Sequence, residues 1–253
     1  MGYLQGMRCF LSTTGRTLLI ALLATLTLGS QAQSPRKIED SMAERTRACT
    51  ACHGDQGRAG PDGYYPRLAG KPAGYLHHQL RNFAEGRRHY GLMTRLVDPL
   101  SDAYMAEIAA HFASLELPYP APTPSRLPAD RLARGQKLVL EGDAARGLPA
   151  CVQCHGERLT GAQPNVPGLL VLPLDYLNAQ LGAWQTGQRK ALAPDCMAEV
   201  VKRIPHEDII AVSSWLASQR LPADTRPAST VARPLSEPAW RCGSAPELAG
   251  GRP

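Results

Sequence analysis

The chain has 253 residues, of which 43% are hydrophobic and 20% charged, ordinary values for globular protein, yet only 6% are aromatic. This length leaves room for two small domains, each able to build a core if a large apolar cofactor supplies the missing volume. The formal charge is +6, but Lys and Arg are not clustered among aromatics, which argues against a nucleic-acid partner.

Residues 1–32 read as a secretory signal peptide. Arg8 and Arg16 lie in a basic stretch, an apolar run extends from Leu18 to Leu28, and Ser30-Gln31-Ala32 fits cleavage after Ala32. That run falls well short of the roughly 20 residues a spanning helix needs, so no integral membrane span is expected in the mature chain. No lipobox precedes a cysteine. Cleavage would remove Cys9 and leave 26 basic against 22 acidic residues, a charge of +4. The expected location is the periplasm.

The segment 33–119 is expected to form the first domain. It carries Cys49-Thr50-Ala51-Cys52-His53, and the same pattern returns as Cys151-Val152-Gln153-Cys154-His155. C-x-x-C-H is the pattern of covalent haem attachment: two thiols three positions apart bond to the vinyl groups of one porphyrin, and the adjacent histidine reaches the iron. The competing reading is a zinc knuckle or redox dithiol. A zinc ribbon separates its halves by a few tens of residues, whereas these motifs lie 102 apart. Two covalently bound haem c groups are the expected cofactors, with Cys49, Cys52 and His53 on one, and Cys151, Cys154 and His155 on the other.

After the first motif, Leu76, Leu80 and Phe83 fall at i, i+4 and i+7, which predicts an amphipathic helix between Pro72 and Gly86. Met105, Ile108, Ala109 and Phe112 predict a closing helix, with Ser101 as its N-cap. The prolines at 118, 120, 122, 124 and 128 read as a semi-rigid linker, assigned to 120–132. The segment 133–222 then repeats the first domain. Pro66, Pro72, Tyr75, Leu76, Gln79, Leu80, Phe83 and Gly86 match Pro167, Pro173, Tyr176, Leu177, Gln180, Leu181, Trp184 and Gly187, every pair 101 apart. The closing helix returns as Ile209, Val212, Ser213 and Leu216. The tail, 223–253, is rich in Pro, Ala and Gly, and is expected to wrap the surface or to lack order, with a disulfide through Cys242 expected to tie it down beside the Met197 loop.

The second axial position of each iron decides between carrier and catalyst, and Met and His are its usual occupants. Met93 and Met197 share the 104-residue offset of the closing helices, so both are expected as sixth ligands. Met105, matched by Ile209, belongs to the core. His77, His78, His89, His111 and His206 have no counterparts in register and are expected on helix faces or the surface, with bis-His ligation the lesser alternative. Cys196 and Cys242 remain, and an oxidising compartment favours a disulfide between them. The rival reading makes Cys196 a thiolate ligand of the second iron.

These residues resemble the di-haem class I cytochromes c, the two-domain periplasmic proteins of the c-four type. The resemblance is carried by Ala51-Cys52-His53-Gly54, Tyr65-Pro66-Arg67-Leu68-Ala69-Gly70, Tyr75-Leu76 with Gln79-Leu80, and Met93. In the second half it is carried by Leu148-Pro149-Ala150-Cys151, Cys154-His155-Gly156 and Met197. It implies an all-α fold of two tandem class I cytochrome c domains, each around one haem, with His and Met on each iron. It also suggests that the carbonyls of Pro66 and Pro167 accept from the proximal histidines. Pro167-Gly168-Leu169-Leu170-Val171 departs from the pattern.

The implied function is electron transfer between redox protein partners: a donor dehydrogenase or quinol-oxidising complex, and an acceptor oxidase or reductase. Two alternatives stay open. One is a di-haem enzyme of the peroxidase or thiosulfate-oxidising kind using Cys196, and the other is the cytochrome subunit of a larger dehydrogenase.

Overall fold

The computed structural model describes residues 39–60, 62–230 and 240–249; the expected signal peptide lies outside them. In the first half the chain forms α1 (Met42–Arg45), α2 (Arg47–His53), α3 (Ala73–Ala84), α4 (Gly91–Val97) and α5 (Asp102–Ala113). The second half forms α6 (Ala129–Leu140), α7 (Cys151–His155), α8 (Leu174–Gln185), α9 (Cys196–Lys202) and α10 (His206–Ser218). The expected all-α fold is present, with one short antiparallel ladder added, β1 (Gly161–Ala162) to β2 (Val166–Pro167).

The helices arise where the apolar periodicity and the caps agree. Pro72 and Pro173 precede α3 and α8, and their carbonyls accept from Leu76 N and Leu177 N, each at 3.0 Å. Ser101 caps α5 by accepting from Tyr104 N at 3.2 Å. The repeat reaches into the turns: Arg88 N donates to Asn82 O and Arg189 N to Ala183 O, both at 2.9 Å.

In the second half α10 crosses α6 at Gly135, where a side-chain carbon would collide with the Ala211 carbonyl. Leu138, Val139, Ile209, Val212 and Trp215 form the core around that crossing. The first half has a smaller one, Leu76, Ile108, Ala109 and Phe112.

The proline-rich segment is held at both ends. Arg67 Nη1 donates to Pro118 O at 2.9 Å and Nη2 to Leu117 O at 2.6 Å, with the guanidinium stacked 3.9 Å from the centre of the Tyr119 ring. Thr123 N donates to Ala217 O at 3.0 Å. Helix α6 takes in the last residues of the segment 120–132.

The described part of the tail is packed rather than loose. Trp240, Cys242, Ala245 and Leu248 are buried, the last three against Ala162 and Val166. Apolar side chains tied by a disulfide outweigh the composition that suggested disorder.

Candidate functional site

Helices α2 and α7 each end on the histidine of a C-x-x-C-H motif, so helix geometry sets each cysteine pair one turn apart beside it. His53 and His155 are buried. Their Nδ1 atoms donate to the carbonyls of Pro66 and Pro167, each at 2.8 Å. Burial pushes both histidines below their ordinary pKa, which favours the neutral ring. With Nδ1–H committed to a carbonyl, the lone pair lies on Nε2, the arrangement an iron-binding imidazole requires.

Burial raises Cys49 above its usual value, Cys151 to about 12 and Cys154 to about 11. Among the described residues no three or more His, Cys, Asp and Glu side chains are gathered as a set that could hold a bare metal ion, so the thiols are not arranged as a zinc site.

Met93 lies in α4 and Met197 in α9, at matching places before the closing helices. Different devices hold the two segments. The hydroxyl of Tyr90, the residue before α4, lies 2.9 Å from that of Tyr65. Asp195 caps α9 through Ala198 N at 3.1 Å, while also accepting from Ala191 N at 2.7 Å and Trp184 Nε1 at 3.3 Å. Cys196 is bonded to Cys242, with Cα atoms 5.0 Å apart. The expected disulfide is therefore present, and Cys196 has no free thiolate to offer an iron.

A cavity of about 470 Å³ runs through both halves, touching Cys49, Cys52, His53 and Met93 on one side and Cys154, His155 and Met197 on the other. Pro66 and Pro167 also line it. Cys151 lies against the second core instead. Of the unmatched histidines, His78 and His89 reach the cavity wall. His77 pairs with Asp102 at 2.9 Å and His206 lies 3.5 Å from Gln185.

The lining is largely apolar, yet it holds Arg67, Lys71, Arg88, Arg189 and Lys190 against one carboxylate, Asp195, among the described residues. Four of these cations, Arg67, Lys71, Arg88 and Arg189, are buried, and such an excess calls for anions inside the cavity. A haem brings an apolar macrocycle and two propionates, so the donor set, the apolar wall and the cations all fit that group.

Where the halves meet, residues of equal register reach across to one another. Arg88 Nη2 donates to Tyr176 Oη at 3.0 Å and Gln180 Oε1 at 2.8 Å, while Arg88 Nη1 donates to Gln79 Oε1 at 3.1 Å. Arg189 donates to Gln180 Oε1 at 2.7 Å and to Gln79 Oε1 at 3.1 Å. Burial, with Arg88 adding to it, brings Arg189 down to about 10, so its guanidinium stays charged at neutral pH. Sequence reasoning passed over this pair, although Arg88 and Arg189 are 101 apart like the matches around them. Lys71 was passed over as well, because Leu172 stands at its place in the second half.

No family model matches the chain. Individual proteins do. Over 201 residues it is 37% identical to a thiosulfate dehydrogenase electron acceptor of Thiomonas intermedia (strain K12), covering 79% of this chain and 91% of that protein. It is 33% identical to the cytochrome c4 of Pseudomonas aeruginosa over 203 residues, 79% of this chain and 96% of the other. The crystal structure of reduced recombinant cytochrome c4 from Pseudomonas stutzeri superposes with a TM-score of 0.61 at 29% identity, covering 71% of this chain and 97% of that one. With paired C-x-x-C-H helices, carbonyl-held histidines and a shared cation-lined cavity, the chain belongs to the cytochrome c4 family: a di-haem electron-transfer cytochrome carrying two covalently bound haem c groups.

Proposed function

We propose that this carrier works in the periplasm and takes electrons one at a time from a thiosulfate dehydrogenase, passing them to a terminal oxidase or reductase. The observation that carries the reading is the 37% identity, over 79% of this chain, to a protein named as the electron acceptor of that enzyme. In this reading residues 33–119 and 133–222 are the two haem domains, 120–132 the linker and 223–253 a tail tied by Cys196–Cys242.

Cys49, Cys52 and His53 hold the first haem with Met93 as sixth ligand, and Cys151, Cys154 and His155 hold the second with Met197. Each bound haem supplies one iron that cycles between ferrous and ferric, and methionine ligation favours the ferrous form. The protein's part is to keep that change inexpensive. Pro66 and Pro167 fix the imidazole planes through their carbonyls, the methionine segments are tied down by Tyr65–Tyr90 and by Asp195 with the disulfide, and apolar walls limit solvent rearrangement. With His53 and Met93 holding one haem and His155 and Met197 the other, no place would be left for a substrate at either metal.

Rapid mixing tests the partner. Oxidised protein with both haems, added to a thiosulfate dehydrogenase and thiosulfate, should be reduced by two electrons per chain within the enzyme's turnover time. Reduction no faster than by thiosulfate alone would refute the assignment. Co-purification at low salt separates a transient carrier from a permanent subunit.

A further inference from the structure

We propose that Lys71, a residue of the first half, is a cation that serves the second haem, steadying its proximal loop and raising its reduction potential. The inference rests on His155 being the proximal ligand of that haem. Lys71 sits just before α3, and its side chain is buried. Its Nζ crosses between the halves and donates to the carbonyl of Gly168 at 2.8 Å. Gly168 follows Pro167, whose carbonyl accepts from His155 Nδ1. The ammonium is thus one residue along the loop from the atom that orients the proximal histidine.

The repeat shows that this contact is one-sided. Leu172 occupies the register of Lys71, so the second half sends no such cation in return. Arg67 stands at the register of Gly168, but its guanidinium is turned toward Ala69, Leu117 and Pro118 carbonyls and the Tyr119 ring. A side-chain carbon at position 168 would collide with the Thr160 carbonyl, so the second loop cannot carry a cation of its own there.

Ferric haem carries one more positive charge than ferrous haem. A buried cation nearby therefore favours reduction, and a unit charge about 10 Å away at an effective dielectric of about 20 shifts such an equilibrium by roughly tenfold.

The test uses protein with both haems attached, checked by intact mass and titrated spectroelectrochemically as two one-electron steps. Met197→His marks the second haem. In that background and in the parent, Lys71→Met should lower the second potential by about tenfold in the redox equilibrium, equal to about 59 mV for one electron, and leave the first unmoved. Lys71→Arg should restore most of the difference. Should Lys71→Met not retain both haems, Lys71→Gln is judged by the same result. Equal shifts at both haems, no shift at either, or a Lys71→Arg protein indistinguishable from Lys71→Met would overturn the proposal. A Met197→His protein with both potentials unchanged would instead overturn the ligand assignment.

Discussion

Replacing both Cys196 and Cys242 by alanine should cost the fold about 4 kcal/mol. The two cysteines are 46 residues apart, and the chain-entropy relation for a loop of that length gives about 4 kcal/mol at 25 °C. The tail also buries Trp240 and Leu248, each contributing roughly 2 kcal/mol by area. Those contacts survive the substitution only if the tail stays in place. Guanidinium unfolding, followed by far-UV dichroism on protein with both haems, gives the loss as a fall in midpoint. Without the cross-link the unfolded chain exposes more surface, so a tail that remains docked gives a denaturant slope no lower than the parent's, whereas a detached tail lowers it, because less surface is then exposed on unfolding. Since Cys196 opens the helix that bears Met197, the methionine-to-iron absorption band of the second haem should weaken in the same protein. A loss below about 1 kcal/mol with that band intact would refute the view that the disulfide holds this segment.

Two further outcomes are expected. Met93→His and Met197→His should each lower one potential, on the order of 100 mV within the ~0.8 V range that axial ligands span, while mass spectrometry still finds two attached haems. Gly135→Ala should destabilise the second half by roughly 1–3 kcal/mol in thermal unfolding, because the added methyl meets the Ala211 carbonyl at the α6–α10 crossing.

The repeat in the sequence accounts for much of the site. Two C-x-x-C-H motifs name the proposed attachment residues, and equal offsets find the helices α3, α5, α8 and α10. The disulfide also followed from the sequence, because few cysteines remained once the motifs had claimed theirs. The packed tail did not, since its composition resembles a disordered segment and only Cys242 hinted at an anchor. The altered second loop was visible as a departure, but its reason was not. Val171 adopts φ 55° where the first half has Gly70 at φ 74°, and Gly168 passes too close to Thr160 for any larger residue.

The sequence by itself determined which residues are equivalent: His53 with His155, Met93 with Met197, Arg88 with Arg189. It could do so because a duplication leaves a constant offset along the chain. Only the tertiary structure decided which of them touch. Arg88 meets Tyr176 and Gln180, and Lys71 meets Gly168, since contact depends on how two similar halves are turned against one another, and an offset carries no record of that orientation.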